Sequence, residues 1–81
     1  MKDVFGDRFK LTYIDGKPVP KDSVWLILRV DENDKLGKAA RHSARSFARQ
    51  IAEEHPAYAE ALINEMDRIS FEHVAQEMNR E

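Results

Sequence analysis

The chain has no cysteine. That excludes disulfides and thiolate metal sites. A domain this small then has to rely on packing, on self-association or on a partner. Glycine and proline are scarce, three of each in 81 residues. No internal repeat or low-complexity segment is present, and the composition is that of a helix-rich globular chain. No apolar run approaches the roughly twenty residues of a membrane span. No basic stretch followed by an apolar run marks a secretory signal. The expected setting is cytoplasmic, with no membrane partner. Glycine patterns for a phosphate-binding loop or a dinucleotide fold are also missing.

What is present is charge and apolar surface in unusual order. Apolar residues make up 42% of the chain, too many for a disordered segment. One domain over residues 1–81 is expected, with a small core, since a chain of this length buries only about 60–65% of its unfolded surface. Residues 35–50 hold five basic side chains and no acidic one, whereas the last thirty-one residues hold eight acids against two bases. The net charge of −2 hides this segregation.

Residues 8–14 alternate, with Phe9, Leu11 and Tyr13 on one side and Arg8, Lys10 and Thr12 on the other. That period of two predicts a half-buried strand. Asp15-Gly16 signals a turn, and Pro18 and Pro20 exclude regular strand just after it. Residues 24–30 predict a second strand, so the two read as a β-hairpin with a long loop. Val24, Leu26, Leu28 and Val30 would cover one face, and Trp25 and Ile27 the other. A two-stranded sheet packed on helices needs only one apolar face. Trp25 and Ile27 therefore need cover from a third strand at residues 1–5, from a helix or from a second copy of the chain. The simpler reading is that Trp25 belongs to the core.

Asp34 is a candidate N-cap. Leu36, Ala40, Ala44, Phe47 and Ile51 then fall within about 100° of arc and predict an amphipathic helix to about Glu54. His55-Pro56 ends it, and Pro56 suits the first turn of a second helix. Tyr58, Ala59, Leu62, Met66 and Ile69 would line that helix, and Ser70 is a candidate cap for a short third one. Whether the last two are one bent helix stays open. The expected fold class is α+β: a β-hairpin, a candidate third short strand, then a long amphipathic helix and one or two shorter helices packed on one sheet face.

On the first helix Lys38, Arg41, His42, Arg45 and Arg49 lie about 150° from the apolar centre, which predicts that they face solvent. The plain reading is a solvated face. Against it, Arg41–Arg45 and Arg45–Arg49 are like-charge pairs four residues apart, each unfavourable by roughly 0.2–0.5 kcal/mol. Lys35 and Lys38 also sit at the positive end of the helix dipole and Glu53 and Glu54 at its negative end. The chain's own acidic third, an acidic surface on another subunit, or an external polyanion would each account for the stripe. Nucleic acid is the weaker option, because the chain is acidic overall and the stripe lacks aromatics for base stacking.

Catalytic chemistry is sparse. His42 and Ser46 are four apart but lack an orienting acid and an oxyanion site. His73 and Glu77 make at most half a metal site. Asp31, Asn33 and Asp34 resemble the start of a calcium loop, but Leu36 and His42 stand where glycine and glutamate are needed. The expectation is a non-enzyme with no cofactor, no metal and no small-molecule substrate.

The run from Phe9 to Pro20, the segment from Trp25 to Asp31 with its LR-x-D ending, and the alanine- and arginine-rich helix that follows resemble small uncharacterised proteins of bacterial and phage genomes. The resemblance spans about residues 9–66, and this chain departs from it in a longer acidic loop and a heavier arginine load. It implies accessory genes of mobile elements, and with them an inhibitor of a host defence or nucleic-acid enzyme, as anti-CRISPR proteins are. It brings no catalytic residues. The expected function is non-catalytic protein binding, with a homodimer as one form. It would act through Lys38, Arg41, His42, Arg45 and Arg49, through Trp25 and Ile27, or through both. A nucleic-acid-binding role for the arginines is the alternative.

Overall fold

The computed structural model describes residues 2–4, 6, 9 and 13–79. The elements in chain order are β1 (Lys2–Asp3), β2 (Val24–Trp25), α1 (Lys35–Ile51) and α2 (Pro56–Met78).

This overturns the α+β expectation. The molecule is mostly helical, and among the described residues no β-hairpin carries the helices. β1 and β2 run parallel, with Lys2 opposite Val24 and Asp3 opposite Trp25. Lys2 N–H donates to the Ser23 carbonyl at 2.9 Å and Val4 N–H to the Trp25 carbonyl at 3.0 Å. Of the expected first hairpin strand, Arg8, Lys10, Leu11 and Thr12 lie outside the described residues. The Asp15-Gly16 turn does form. Gly16 N–H donates to the Tyr13 carbonyl and Tyr13 N–H to the Lys17 carbonyl, both at 2.9 Å. Gly16 has φ +87°, a left-handed conformation suited to glycine. Residues 26–30, however, form no regular strand. The reason is in the packing: neither helix packs on β1 or β2. A ladder without a covering layer is marginal even when its residues favour strand.

The first helix begins as its sequence predicts. The Asp34 carboxylate accepts from Gly37 N–H at 2.7 Å, and Lys38 N–H donates to the Asp34 carbonyl at 3.0 Å. The helix ends at Ile51, short of Glu53 and Glu54. Those two acids therefore lie beyond its last turn, and Arg49 is the charge within it, the sign the dipole favours there. His55-Pro56 makes the break, with His55 N–H donating to the Ile51 carbonyl at 2.8 Å. The second helix is the longer of the two, 23 residues against 17, and runs through Ser70 without a break. Among the described residues there is no separate third helix.

The core lies between α1 and α2. It holds Ala40 and Ala48 from α1, and Ala59, Met66 and Ile69 from α2. On α1 the buried residues are Gly37, Ala40, Arg41 and Ala48. At 100° per residue this stripe is centred about 60° away from the stripe of Leu36, Ala40, Ala44, Phe47 and Ile51. The helix thus turns its small residues inward. Leu36 is 80% exposed and Phe47 53%.

Gly37 shows why. A Cβ on Gly37 would fall on the backbone carbonyl of Glu32. The loop before α1 folds back across its first turn at a separation that only glycine permits. Alanine is the better helix former by about 1 kcal/mol, yet Gly37→Ala is expected to lower stability, read as a smaller urea midpoint. An unchanged or higher midpoint would show that the loop does not rest on the helix.

Candidate protein-binding surface

The stripe that looks uniform in the sequence divides into three environments. Arg41 is buried, 4% exposed. Its Nη1 donates to the Val30 carbonyl at 2.7 Å and to the Glu32 carbonyl at 2.8 Å. It therefore does not point to solvent, because the inward face of α1 is rotated towards it. Arg41 bridges to the loop that carries these carbonyls and ties it to the helix.

Arg45 turns towards α2. Its Nη2 hydrogens are shared among Ser70 Oγ at 2.9 Å, Asp67 Oδ1 at 3.2 Å and the Met66 carbonyl at 3.3 Å. Its Nε donates to Asp67 Oδ1 at 3.3 Å. The acidic third thus folds back on this arginine. The ion pair is partly open to water, with side chains 27% and 62% exposed, so its own worth is at most about 1 kcal/mol. The neutral bonds to Ser70 and the carbonyl fix its geometry.

Lys38, His42 and Arg49 are exposed. Among the described residues no side-chain hydrogen bond or ion pair holds any of the three. These are what remains of the expected basic face.

The apolar half of the expected site is not an open face. Trp25 and Ile27 are half-buried, while Val24, Leu26 and Leu28 are exposed. Trp25 Nε1 is buried and has no acceptor among the described residues. Val30, expected on the face of Leu26 and Leu28, is half-buried with Trp25 and Ile27, so residues 24–30 do not divide into two strand faces. Leu28 and Leu36 instead line a cavity of about 490 Å³ between residues 27–29 and the first half of α1. Ile27, Ala39, Ala40 and Ser43 share that lining, and Arg29, Glu32 and Asp34 also border it. A second exposed apolar group, Phe71, Val74 and Met78, lies at the end of α2. Their spacing of i, i+3 and i+7 is a helix face.

Local ion pairs account for much of the remaining charge. Arg29 Nε donates to Asp31 Oδ1 at 2.8 Å and its Nη1 pairs with Glu32 at 2.6 Å. The hydrogen bond from Arg29 holds the Asp31 carboxyl below the usual carboxylate range. Arg68 pairs with Glu65 and Glu72 on its own helix, and its hydrogen bond lowers the Glu65 carboxyl in the same way. These groups are exposed apart from the half-buried Glu32, so the pairs are weak. His73 Nε2 donates to the Asp31 carbonyl at 2.9 Å, and Asn33 Nδ2 donates to Glu77 Oε1 at 3.2 Å. Both bonds fasten the loop of residues 31–33 to α2. No group of three metal-ligating side chains occurs among the described residues, and no helix of the described chain is long and apolar enough to cross a membrane.

Comparison with known proteins places no neighbour beside this geometry: no family model, no curated protein and no solved structure matches the chain.

The different environments of Arg41 and Arg49 give different expectations. Arg41→Met removes the donor for two carbonyls and should cost about 2 kcal/mol. Arg49→Ala should stay within about 0.5 kcal/mol of the parent chain. Urea unfolding of the two variants reads both. Equal losses would mean that Arg41 is not the tie between loop and helix.

Proposed function

We propose that the chain is a non-catalytic protein-binding module that covers its apolar surface against a protein partner, with a second copy of itself as one form. The observation that carries this reading is the surface the chain leaves open. It exposes 6890 Å², where a compact protein of 9.4 kDa exposes about 5,000 Å². The excess is more than twice the roughly 800 Å² that each partner gives to a standard interface. The radius of gyration, 15.5 Å, agrees, since a compact chain of this length has about 12 Å.

The contact surface in this reading is the groove of Leu28 and Leu36 with Phe47 beside it on α1. The exposed Lys38, His42 and Arg49 lie on the far side of the same helix and stand outside this surface. A partner surface with an apolar centre suits the groove, whose border carries Arg29, Glu32 and Asp34. Inhibition of a host enzyme is one form such binding takes, and here it rests on the resemblance alone. Nucleic-acid binding is less well supported, because the chain carries a net charge of −2 and the buried Arg41 leaves no continuous exposed basic face on α1.

Leu36→Glu combined with Phe47→Ser changes two exposed side chains and should leave the thermal midpoint within a few degrees. The same pair should abolish self-association in light scattering, or capture of the partner once one is identified. Hydrogen exchange on the isolated chain tests the premise. A monomer at all concentrations whose α1 and α2 amides are protected to the global limit would be complete on its own and would sink the proposal.

A further inference from the structure

A second, smaller cavity of about 260 Å³ lies where α1, α2 and the preceding loop meet. Lys38, Arg41 and Arg45 line it from α1, Ser70, His73 and Glu77 from α2, and Asn33 from the loop. Three cations and one carboxylate are among its lining, and one of the cations, Arg45, is also paired with Asp67. The volume is below the roughly 300–1,000 Å³ of pockets for drug-sized ligands. It suits a small ion or the end group of a larger molecule.

Hydrogen-bond donors in this cavity outnumber their acceptors. Arg41 is buried, yet no carboxylate of the described residues lies within ion-pair distance of it. Its Nη1 is occupied by the Val30 and Glu32 carbonyls; Nε and Nη2 have no acceptor among the described residues but are not buried without a partner as Trp25 Nε1 and His73 Nδ1 are. A buried guanidinium without a counter-charge is unfavourable unless another anion offsets it. Arg45 uses Nε and Nη2 on α2, so its Nη1 remains. Ser70 Oγ accepts from Arg45 and keeps its own hydroxyl hydrogen for another acceptor. Lys38 is exposed at the mouth. Glu77, the one acid, has Oε1 engaged with Asn33 Nδ2.

From this cluster we infer a binding site for a small phosphate-type oxyanion. Lys38, Arg41, Arg45 and Ser70 line it together, and their side chains are a donor set matched to an acceptor with several equivalent oxygens. The site is separate from the apolar groove and does not depend on it. Occupying it would supply the counter-charge that Arg41 lacks and would join both helices to the loop through one ion.

The test is an amide NMR titration of the full chain with sodium phosphate, ionic strength held constant with sodium chloride. Saturable shifts centred on Lys38, Ser70 and His73 are expected. Lys38→Glu alters an exposed side chain and should weaken binding about tenfold or more. Glu77→Gln keeps an acceptor for Asn33, removes the one negative charge and should tighten it. A titration with glycerol phosphate separates an ester from the free ion by which of the two binds more tightly. Shifts that grow linearly without saturating, or saturable binding that neither variant changes, would overturn the site. Equal saturation by sodium acetate would overturn its assignment to phosphate.

Discussion

The fold depends on one buried arginine reaching two backbone carbonyls. Arg41 is on the second turn of α1 and holds Val30 and Glu32 from below. Without that bond the segment after β2 has little to hold it, because it forms no regular strand and neither helix packs on the β1–β2 pair. With it, the chain is drawn across the start of α1 closely enough to require Gly37. His73 and Glu77 then attach the same loop to α2. A guanidinium suits this position because its donors are fixed in a plane and can hold two carbonyls at once. A lysine ammonium would be more costly to bury.

That anchor also explains which side of α1 faces inward. If Arg41 has to meet the loop, the stripe beside it has to be small, and Gly37, Ala40 and Ala48 are. The large apolar residues Leu36 and Phe47 are then carried to the edge. An interior of three alanines, one methionine and one isoleucine is thin. The exposure of Leu36 and Phe47 is thus not a scattered accident of composition. It follows from the helix orientation that the arginine imposes. The apolar groove and the cationic cavity share one stretch of one helix, with Gly37 and Ala40 lining the groove and Arg41 the cavity.

The helices were legible in the sequence and the sheet was not. Asp34 as a cap and His55-Pro56 as a break are local chemistry, and local chemistry decided both. The Asp15-Gly16 turn was legible for the same reason. The hairpin failed because alternation reports only that side chains want two environments. It does not report that a partner strand and a covering layer exist. Trp25, Ile27 and Val30 are half-buried while Leu26 and Leu28 are exposed, a division that the two faces of a hairpin strand do not give. The orientation of α1 was hidden as well. Helical periodicity is most visible in large apolar residues, so Leu36 and Phe47 drew the expected inward face towards themselves. Alanine and glycine, which serve buried and exposed positions alike, gave no comparable signal for the stripe that is buried. Nothing in the sequence marks Arg41 as different from Arg45 or Arg49. Only the loop's return reveals it.

The like-charge spacing Arg41–Arg45–Arg49 looked like a local cost that some external anion must offset. In the folded chain most of that cost is met internally, by different means at each position. Arg41 is held by carbonyl dipoles and Arg45 by a carboxylate, a hydroxyl and a carbonyl on α2, while Arg49 is solvated at the favourable end of the helix. Neighbouring arginines four residues apart diverge to separate environments, and their mutual repulsion helps keep them apart. The segregation of charge along the chain therefore does not by itself argue for a partner. The stronger argument is the apolar surface that this arrangement leaves uncovered. A helix that must bury an arginine cannot also bury its leucine and phenylalanine, and among the described residues no further element lies over them.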